Sequence, residues 1–347
     1  MIDLRSDTQT RPTPEMRAAI AAAEVGDEQK REDPTVNELE RRTAELLGQE
    51  EAVFVPTATM ANEIALRALS QPGDEVVAEE NAHILLAELG GPAVHAGLMT
   101  RPLRCEAGRF TPDQIRKTVR VTDGTHVPPT RIVSVENTHN ASGGRVWPLD
   151  EIEAVAGTAR DLGLRLHLDG ARVMNASIAS GVPSAEIGGY FDTVTLCLSK
   201  GLGCPLGALV AGSAELMVNA RRLKHLFGGA MRQAGIVAAA GVYALEHNIE
   251  RLAEDHERAR RLAEGLDAAG VPVNLEQVET NFVQIDLAPL GLAPQEALAR
   301  LWEHGVGLSM TAHPTRLRAV THLDVDDGDV ERAVELIPRA LGALAHA

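Results

Sequence analysis

A chain of 347 residues is long enough for a large core, which predicts one big α/β domain with a smaller one attached. With 33 Lys and Arg against 49 Asp and Glu, its net charge of -16 argues against nucleic acid and anionic membranes as partners. An aromatic content of 3% excludes base-stacking platforms, and no apolar run approaches bilayer length.

The first seven residues carry no apolar signal core, so a cytoplasmic protein is expected. Arg5-Ser6-Asp7-Thr8 and Arg11-Pro12-Thr13-Pro14 read as an extended arm leading into a helix over 15–24. An acidic loop over 26–35 precedes an amphipathic helix over 36–47. Strand and helix patterns then alternate, with strands at 51–56, 75–79, 131–136, 165–169, 193–199 and 207–211 and helices at 59–69 and 149–162. Such alternation predicts a mostly parallel sheet wrapped by helices, with ligands gathering at the carboxyl ends of the strands. Beyond Leu245 the pattern changes to a long charged helix through about Ala269, then shorter units at 282–286, 317–320 and 330–344. The expected division is an N-terminal arm over 1–13, a large domain over 14–245 and a small C-terminal α/β domain over 246–347.

The unusual residues fall at the strand ends. Lys200 follows the apolar run from Thr193 and precedes Gly201, Gly203 and Pro205. An ammonium there costs free energy unless something pairs with it or its pKa falls, and a desolvated site favours Schiff-base chemistry. The plainer alternative is a lysine snorkelling from the sheet edge. Of the lysines Lys30, Lys117, Lys200 and Lys224, only Lys200 combines an apolar approach with a glycine-rich exit. Asp169 ends another apolar strand and needs a partner. It can serve as metal ligand, general base, helix cap, the anion that keeps a heterocyclic nitrogen protonated, or half of an internal pair with Arg172.

Thr57-Ala58-Thr59 joins a strand directly to a helix, whose free N–H groups and hydroxyls suit phosphate, although threonine caps many helices that bind nothing. His83 and His139 each lie just past a strand, whereas His126, His225, His247, His256 and His346 read as ordinary surface or cap residues. Cys105, Cys197 and Cys204 read as reduced, buried small residues. No spacing matches a zinc site and no glycine loop has a P-loop or dinucleotide pattern, so no metal is expected. Phosphate cradle, strand-end aspartate and strand-end lysine together suit pyridoxal 5'-phosphate.

The sequence resembles the threonine aldolases, pyridoxal-phosphate enzymes of fold type I in the aspartate aminotransferase superfamily. The motifs that carry the resemblance, in family order along almost the whole chain, begin with Leu4-Arg5-Ser6-Asp7-Thr8, Gly26-Asp27, Glu32-Asp33-Pro34-Thr35 and Thr59-Met60-Ala61-Asn62. They continue with Glu136-Asn137-Thr138-His139-Asn140, His167-Leu168-Asp169-Gly170-Ala171-Arg172 and Ser199-Lys200-Gly201-Leu202-Gly203, and close with Gly228-Gly229-Ala230-Met231-Arg232-Gln233 and Arg318-Ala319-Val320-Thr321-His322. The resemblance implies that Lys200 forms the Schiff base with the cofactor aldehyde, that Asp169 holds the pyridinium proton and that Ala58 and Thr59 bind the phosphate. Arg232 and Lys224 would reach in from the other subunit of a homodimer, the minimal active unit, itself expected within a homotetramer. Ser6, Arg172 and Arg318 would hold the substrate carboxylate. His83 would stack on the cofactor ring and, with His139, contact the substrate β-hydroxyl.

Two loops depart from the family pattern. The phosphate loop has Ala58 where glycine is common, which requires an alanine-compatible φ. The acidic loop has Lys30 and Arg31 where tyrosine and glycine are usual. The implied activity is retro-aldol cleavage of L-threonine, L-allo-threonine and related L-β-hydroxy-α-amino acids to glycine and an aldehyde. A β-eliminating lyase or aminotransferase of the same fold, and a cofactor-free α/β binding protein with Lys200 and Asp169 as structural charges, are the alternatives.

Overall fold

Strands with both faces covered are continuous apolar runs, and such runs form the centre of the computed structural model, which describes residues 1–122 and 125–343. In chain order the strands are β1 Ile2–Asp3, β2 Glu51–Val55, β3 Glu75–Glu79, β4 Met99–Leu103, β5 Thr130–Glu136, β6 Arg165–Asp169, β7 Thr193–Cys197, β8 Ala208–Gly212, β9 Phe282–Asp286, β10 Val306–Gly307, β11 Ser309–Met310 and β12 Arg316–Val320. The helices are α1 Pro14–Ala21, α2 Pro34–Leu46, α3 Ala58–Ala68, α4 His83–Leu86, α5 Gly91–Ala96, α6 Pro112–Thr118, α7 Leu149–Asp161, α8 Val173–Ser180, α9 Ser184–Gly188, α10 Ala214–Leu226, α11 Gly235–His247, α12 Leu252–Ala268, α13 Pro294–Glu303 and α14 Asp327–Leu341.

Seven strands form the main sheet in the order β2-β8-β7-β6-β5-β3-β4. β8 pairs antiparallel with both its neighbours and the other pairings are parallel. Helices cover the sheet, as the alternating pattern predicts. A second core gathers Ile2 and Leu4 with apolar residues from Ala259 to Leu341, over the antiparallel sheet β11-β12-β9. The N-terminal arm therefore packs with the C-terminal end of the chain, through β1 paired in parallel with β10.

The expected elements recur with ends shifted by a few residues, and four differences are informative. The helix read as continuous from Leu245 to Ala269 is two, α11 and α12. They are separated where buried Asn248 donates from Nδ2 to the Leu202 carbonyl at 2.7 Å. α11 is small and apolar on most of its circumference, so it carries no amphipathic period to read. β4 contains Pro102, tolerated because it is an edge strand. The last helix ends at Leu341, while Leu344 and His346 lie outside the described residues.

Candidate active site

Parallel pairing places the carboxyl ends of β3, β5, β6 and β7 along one edge of the sheet, and the doubly antiparallel link through β8 brings the end of β2 to the same edge. Glu136 and Asp169 are direct partners in register across β5 and β6. Residues more than 140 apart in sequence thus converge at one place, from Thr57 to Lys200.

Lys200 lies two residues past Leu198, in the turn after β7, and is half-buried. Its ammonium makes no ion pair among the described residues, yet it stands within electrostatic reach of Asp7, Asp169 and His83. The glycines that follow serve packing. A Cβ on Gly201 would stand 2.8 Å from Leu252, and one on Gly203, at φ +76, the same distance from Leu323. The Lys200 carbonyl accepts from Thr10 Oγ1 at 2.9 Å, which ties the arm to this turn.

Asp169 is buried and anchored from two sides, by Asn62 Nδ2 to Oδ2 at 2.9 Å and by the Ala171 N–H to Oδ1 at 3.1 Å. Burial pushes its carboxyl up, but His83, Lys200 and His167 together hold it below the usual range, so it stays ionised. Asn62 is oriented in turn by Thr195 Oγ1, 2.9 Å from its Oδ1, and by His167 Nε2 at 3.3 Å. In the sequence Asn62 and His167 stand only inside motifs, with no role given to either, and Thr195 is not named. The available signal was a polar side chain at an apolar position of α3, between Ala61 and Ile64.

His83 opens α4. Its backbone N–H donates to Glu136 Oε2 at 2.6 Å and its Nδ1 lies 2.8 Å from Glu88 Oε1, while Nε2 has no partner among the described residues. The Glu88 hydrogen bond is the main reason that its pKa is raised. His139 departs from the expectation of direct contact with a β-hydroxyl. It is fully buried, with Nδ1 2.8 Å from Ser142 Oγ and Nε2 3.0 Å from Glu79 Oε2, so both nitrogens face protein groups. Burial lowers its pKa, but Glu136 and Glu79 raise it by more. Glu136 joins the two histidine loops, because its other oxygen accepts from the Asn140 N–H at 2.7 Å.

The three residues expected to clamp a carboxylate are differently committed. Arg172 is buried and forked onto Asp7, Nε to Oδ2 at 2.7 Å and Nη2 to Oδ1 at 2.8 Å. Burial pushes Asp7 up, yet Arg172, Lys200 and Arg318 hold it far below the carboxylate range. Ser6 Oγ accepts from Thr8 N and Thr8 Oγ1 and so caps the turn that presents Asp7. Among the described residues Arg318 has only neutral hydrogen-bond partners, Nε to Ser309 Oγ at 2.9 Å and Nη1 to Asn140 Oδ1 at 2.6 Å. Burial and the Arg172 charge lower its pKa, and both guanidinium groups stand over Phe282, at 5.0 and 5.6 Å from the ring centroid. Its remaining nitrogen, Nη2, is the group that calls for an anion.

Thr57 Oγ1 caps α3 by accepting from Met60 N at 3.1 Å, which leaves the N–H groups of Ala58 and Thr59 without acceptors among the described residues. Ala58 is helical, so the missing glycine imposes no strain. Arg31, by contrast, sits at φ 60, in the left-handed region that glycine prefers. Arg232 is 63% exposed and pairs with Asp27 at 3.1 Å. Lys224, expected to reach a phosphate from the other subunit, is turned inward within its own chain. It is 2% exposed, its Nζ is bonded to Glu28 of the same chain, and it stands over Phe54. His256 is not a surface residue either, since its Nε2 meets Asn175 at 3.1 Å and burial lowers its pKa to about 4. His225 and His247 are exposed as expected, and Cys105 is only half-buried.

A free amine, a buried carboxylate and unpaired helix N–H groups on one edge fit the donor set of pyridoxal phosphate, since the amine and the N–H groups are unspent and each Asp169 oxygen, accepting one hydrogen bond, keeps a lone pair. Fold and edge together define the class, that of the fold type I enzymes. The family model described as β-eliminating lyase matches residues 3–288. The chain is 41% identical over 335 residues to a probable low-specificity L-threonine aldolase of Arabidopsis thaliana, covering 95% of this chain and 94% of the relative. It is 41% identical over 327 residues to the low specificity L-threonine aldolase of Escherichia coli K12, covering 94% and 95%. The solved threonine aldolase of Leishmania major superposes with a TM-score of 0.84 at 21% identity, over 98% of this chain and 100% of that one, a likeness of fold. The chain belongs to the β-eliminating lyase family and, within it, to the low-specificity L-threonine aldolases.

Proposed function

We propose that this lyase cleaves L-threonine, L-allo-threonine and related L-β-hydroxy-α-amino acids to glycine and an aldehyde, with pyridoxal 5'-phosphate as cofactor. The observation that carries the reading is the unpaired Lys200 amine held among Asp7, Asp169 and His83. Lys200 would hold the cofactor covalently, Asp169 its ring-nitrogen proton, and the Ala58 and Thr59 N–H groups its phosphate. When bound, the cofactor supplies an electron sink for the pair released from the Cα–Cβ bond.

The chain's own groups supply the rest. Arg318 offers Nη2 to the substrate carboxylate, and Arg172, neutralised by Asp7, holds the wall beside it. His83, held at Nδ1 by Glu88, keeps Nε2 free to take the β-hydroxyl proton, directly or through a water. His139 would act from behind, holding the Asn140 loop in place, rather than at the hydroxyl. Arg232, exposed on its loop, would reach a second copy's phosphate site in a homodimer, paired further into a homotetramer. Exposed Val218, Leu226 and Ile236 support such association, and light scattering measures it. Among the described residues no helix is long and apolar enough to cross a membrane.

The β-eliminating lyase model favours one second reading, elimination. Incubation of the reconstituted protein with each β-hydroxy-amino acid diastereomer decides between them. Glycine and an aldehyde in equal amounts are expected; a keto acid and ammonia instead would overturn the aldolase reading.

A further inference from the structure

Two buried carboxyl groups behind His83 are left over from the chemistry above. Glu63 follows Asn62 on α3 and is 2% exposed, and the Glu88 side chain, between α4 and α5, is entirely buried. Glu88 Oε1 is fully employed, 2.8 Å from His83 Nδ1 and accepting from Asn62 Nδ2 at 2.9 Å. Glu88 Oε2 and both oxygens of Glu63 meet no N–H or hydroxyl donor, although the two carboxyls are within hydrogen-bonding reach of each other. The Gly91 backbone closes the far side, where an added Cβ would stand 2.1 Å from Glu63 Oε1.

Acceptors that face only acceptors in the interior are unstable, and two touching carboxylates cannot both stay ionised. One proton between them satisfies the pair. It belongs on Glu63, because the two N–H groups on Glu88 Oε1 favour charge on Glu88. Burial and the neighbouring Glu88 push the Glu63 carboxyl up to about 9.

We propose that Glu63 is a neutral carboxylic acid donating its proton to Glu88 Oε2, and that the pair is a positioning device holding His83 as its Nδ1–H tautomer. With Glu88 oriented at both oxygens, its Oε1 points at His83 Nδ1 and at Asn62, which also holds Asp169. One internal proton thus sets the orientation of both the histidine and the aspartate of the site. The charged groups that face His83 are Glu88, Asp169 and Lys200, with Glu136 on its backbone N–H, and Glu63 faces Glu88 alone. The catalytic part of this inference rests on His83 as the base of the aldolase reading, but the proton itself does not.

The test uses holoenzyme. Infrared spectra at neutral pH should contain the C=O stretch of a protonated carboxyl that Glu63→Gln removes. Glu63→Leu, which leaves Glu88 Oε2 bare, should lower kcat about tenfold or more with little change in KM. Glu63→Gln, whose amide still donates, should recover most of that loss. In 15N-labelled wild type the His83 ring should carry its proton on Nδ1. A wild type without the carboxyl band, a His83 protonated on Nε2 alone, or a Glu63→Gln as impaired as Glu63→Leu would overturn the proposal. If Glu63→Leu fails to fold, the wild-type spectra still decide. If wild type releases no aldehyde, the aldolase reading fails while the band still reports on the pair.

Discussion

Lys200 and Lys224 are the two lysines withdrawn from solvent, and they have opposite surroundings. Lys224, in the last turn of α10, is bonded to Glu28 and stacked over Phe54, while burial pushes its ammonium down from the ordinary range. Lys200, past the end of β7, has carboxylates at a distance and none in contact. Burial alone therefore does not mark a reactive amine. A lysine with its own carboxylate is an internal strut, and one held among carboxylates without pairing keeps its nitrogen available.

The largest effect should come from Lys200→Ala, which removes turnover by at least about 10³-fold and abolishes the cofactor's Schiff-base absorption. Its unfolding midpoint should stay near wild type, since no ion pair is lost. A yellow, active Lys200→Ala protein would break the comparison at its first term.

Lys224→Met should act the other way, leaving Glu28 buried and uncompensated at a cost of about 3 kcal/mol in denaturant unfolding. Adding Glu28→Leu should restore most of that stability. A double variant no better than the single one would show that the pair is not the source.

Histidines withdrawn from solvent that make no ion pair among the described residues can also be followed by pH. Burial lowers the folded pKa of His167 and of His256 from 6.5 to about 4. Their contribution is complete above 6.5 and is lost as pH falls toward 4, because the unfolded chain takes up the proton first. The slope is up to about 1.4 kcal/mol per pH unit for each histidine. Calorimetry across that window should show a shallower fall for His256→Gln, and an unchanged slope would mean that His256 is solvated.

The smallest effect is expected from Arg31→Gly. Relief of the left-handed backbone at φ 60 should stabilise the acidic loop by about 1 kcal/mol. A lower melting temperature would assign more weight to the contact of Arg31 with Glu51 at 3.8 Å.

Lys200 and Asp169 were legible because a charge at the end of an apolar run is conspicuous in one dimension, and the sheet rule places such ends together. The burial of Lys224 was not legible for the matching reason, since its charged neighbours Arg221 and Arg222 disguise a helix face that turns inward. The joint between α11 and α12 was missed because its cause, Asn248 on the Leu202 carbonyl, lies 46 residues away. The same holds for Glu63, Glu88 and Glu136, which look like ordinary helix, loop and strand-end acids until their partners are seen.

Amino-acid order alone determined the alternating strands and helices and set Lys200, Asp169 and the Thr57–Thr59 turn apart as the unusual residues at strand ends. These follow from local periodicity and from which residue types stand at strand ends. Tertiary structure decided how each charge is spent: Asp7 on Arg172, Glu28 on Lys224, Glu79 beside His139, and, among the described residues, no acid paired with Arg318 or Lys200. Pairing is a property of distance and burial, and both are set by folding contacts between segments far apart in the chain.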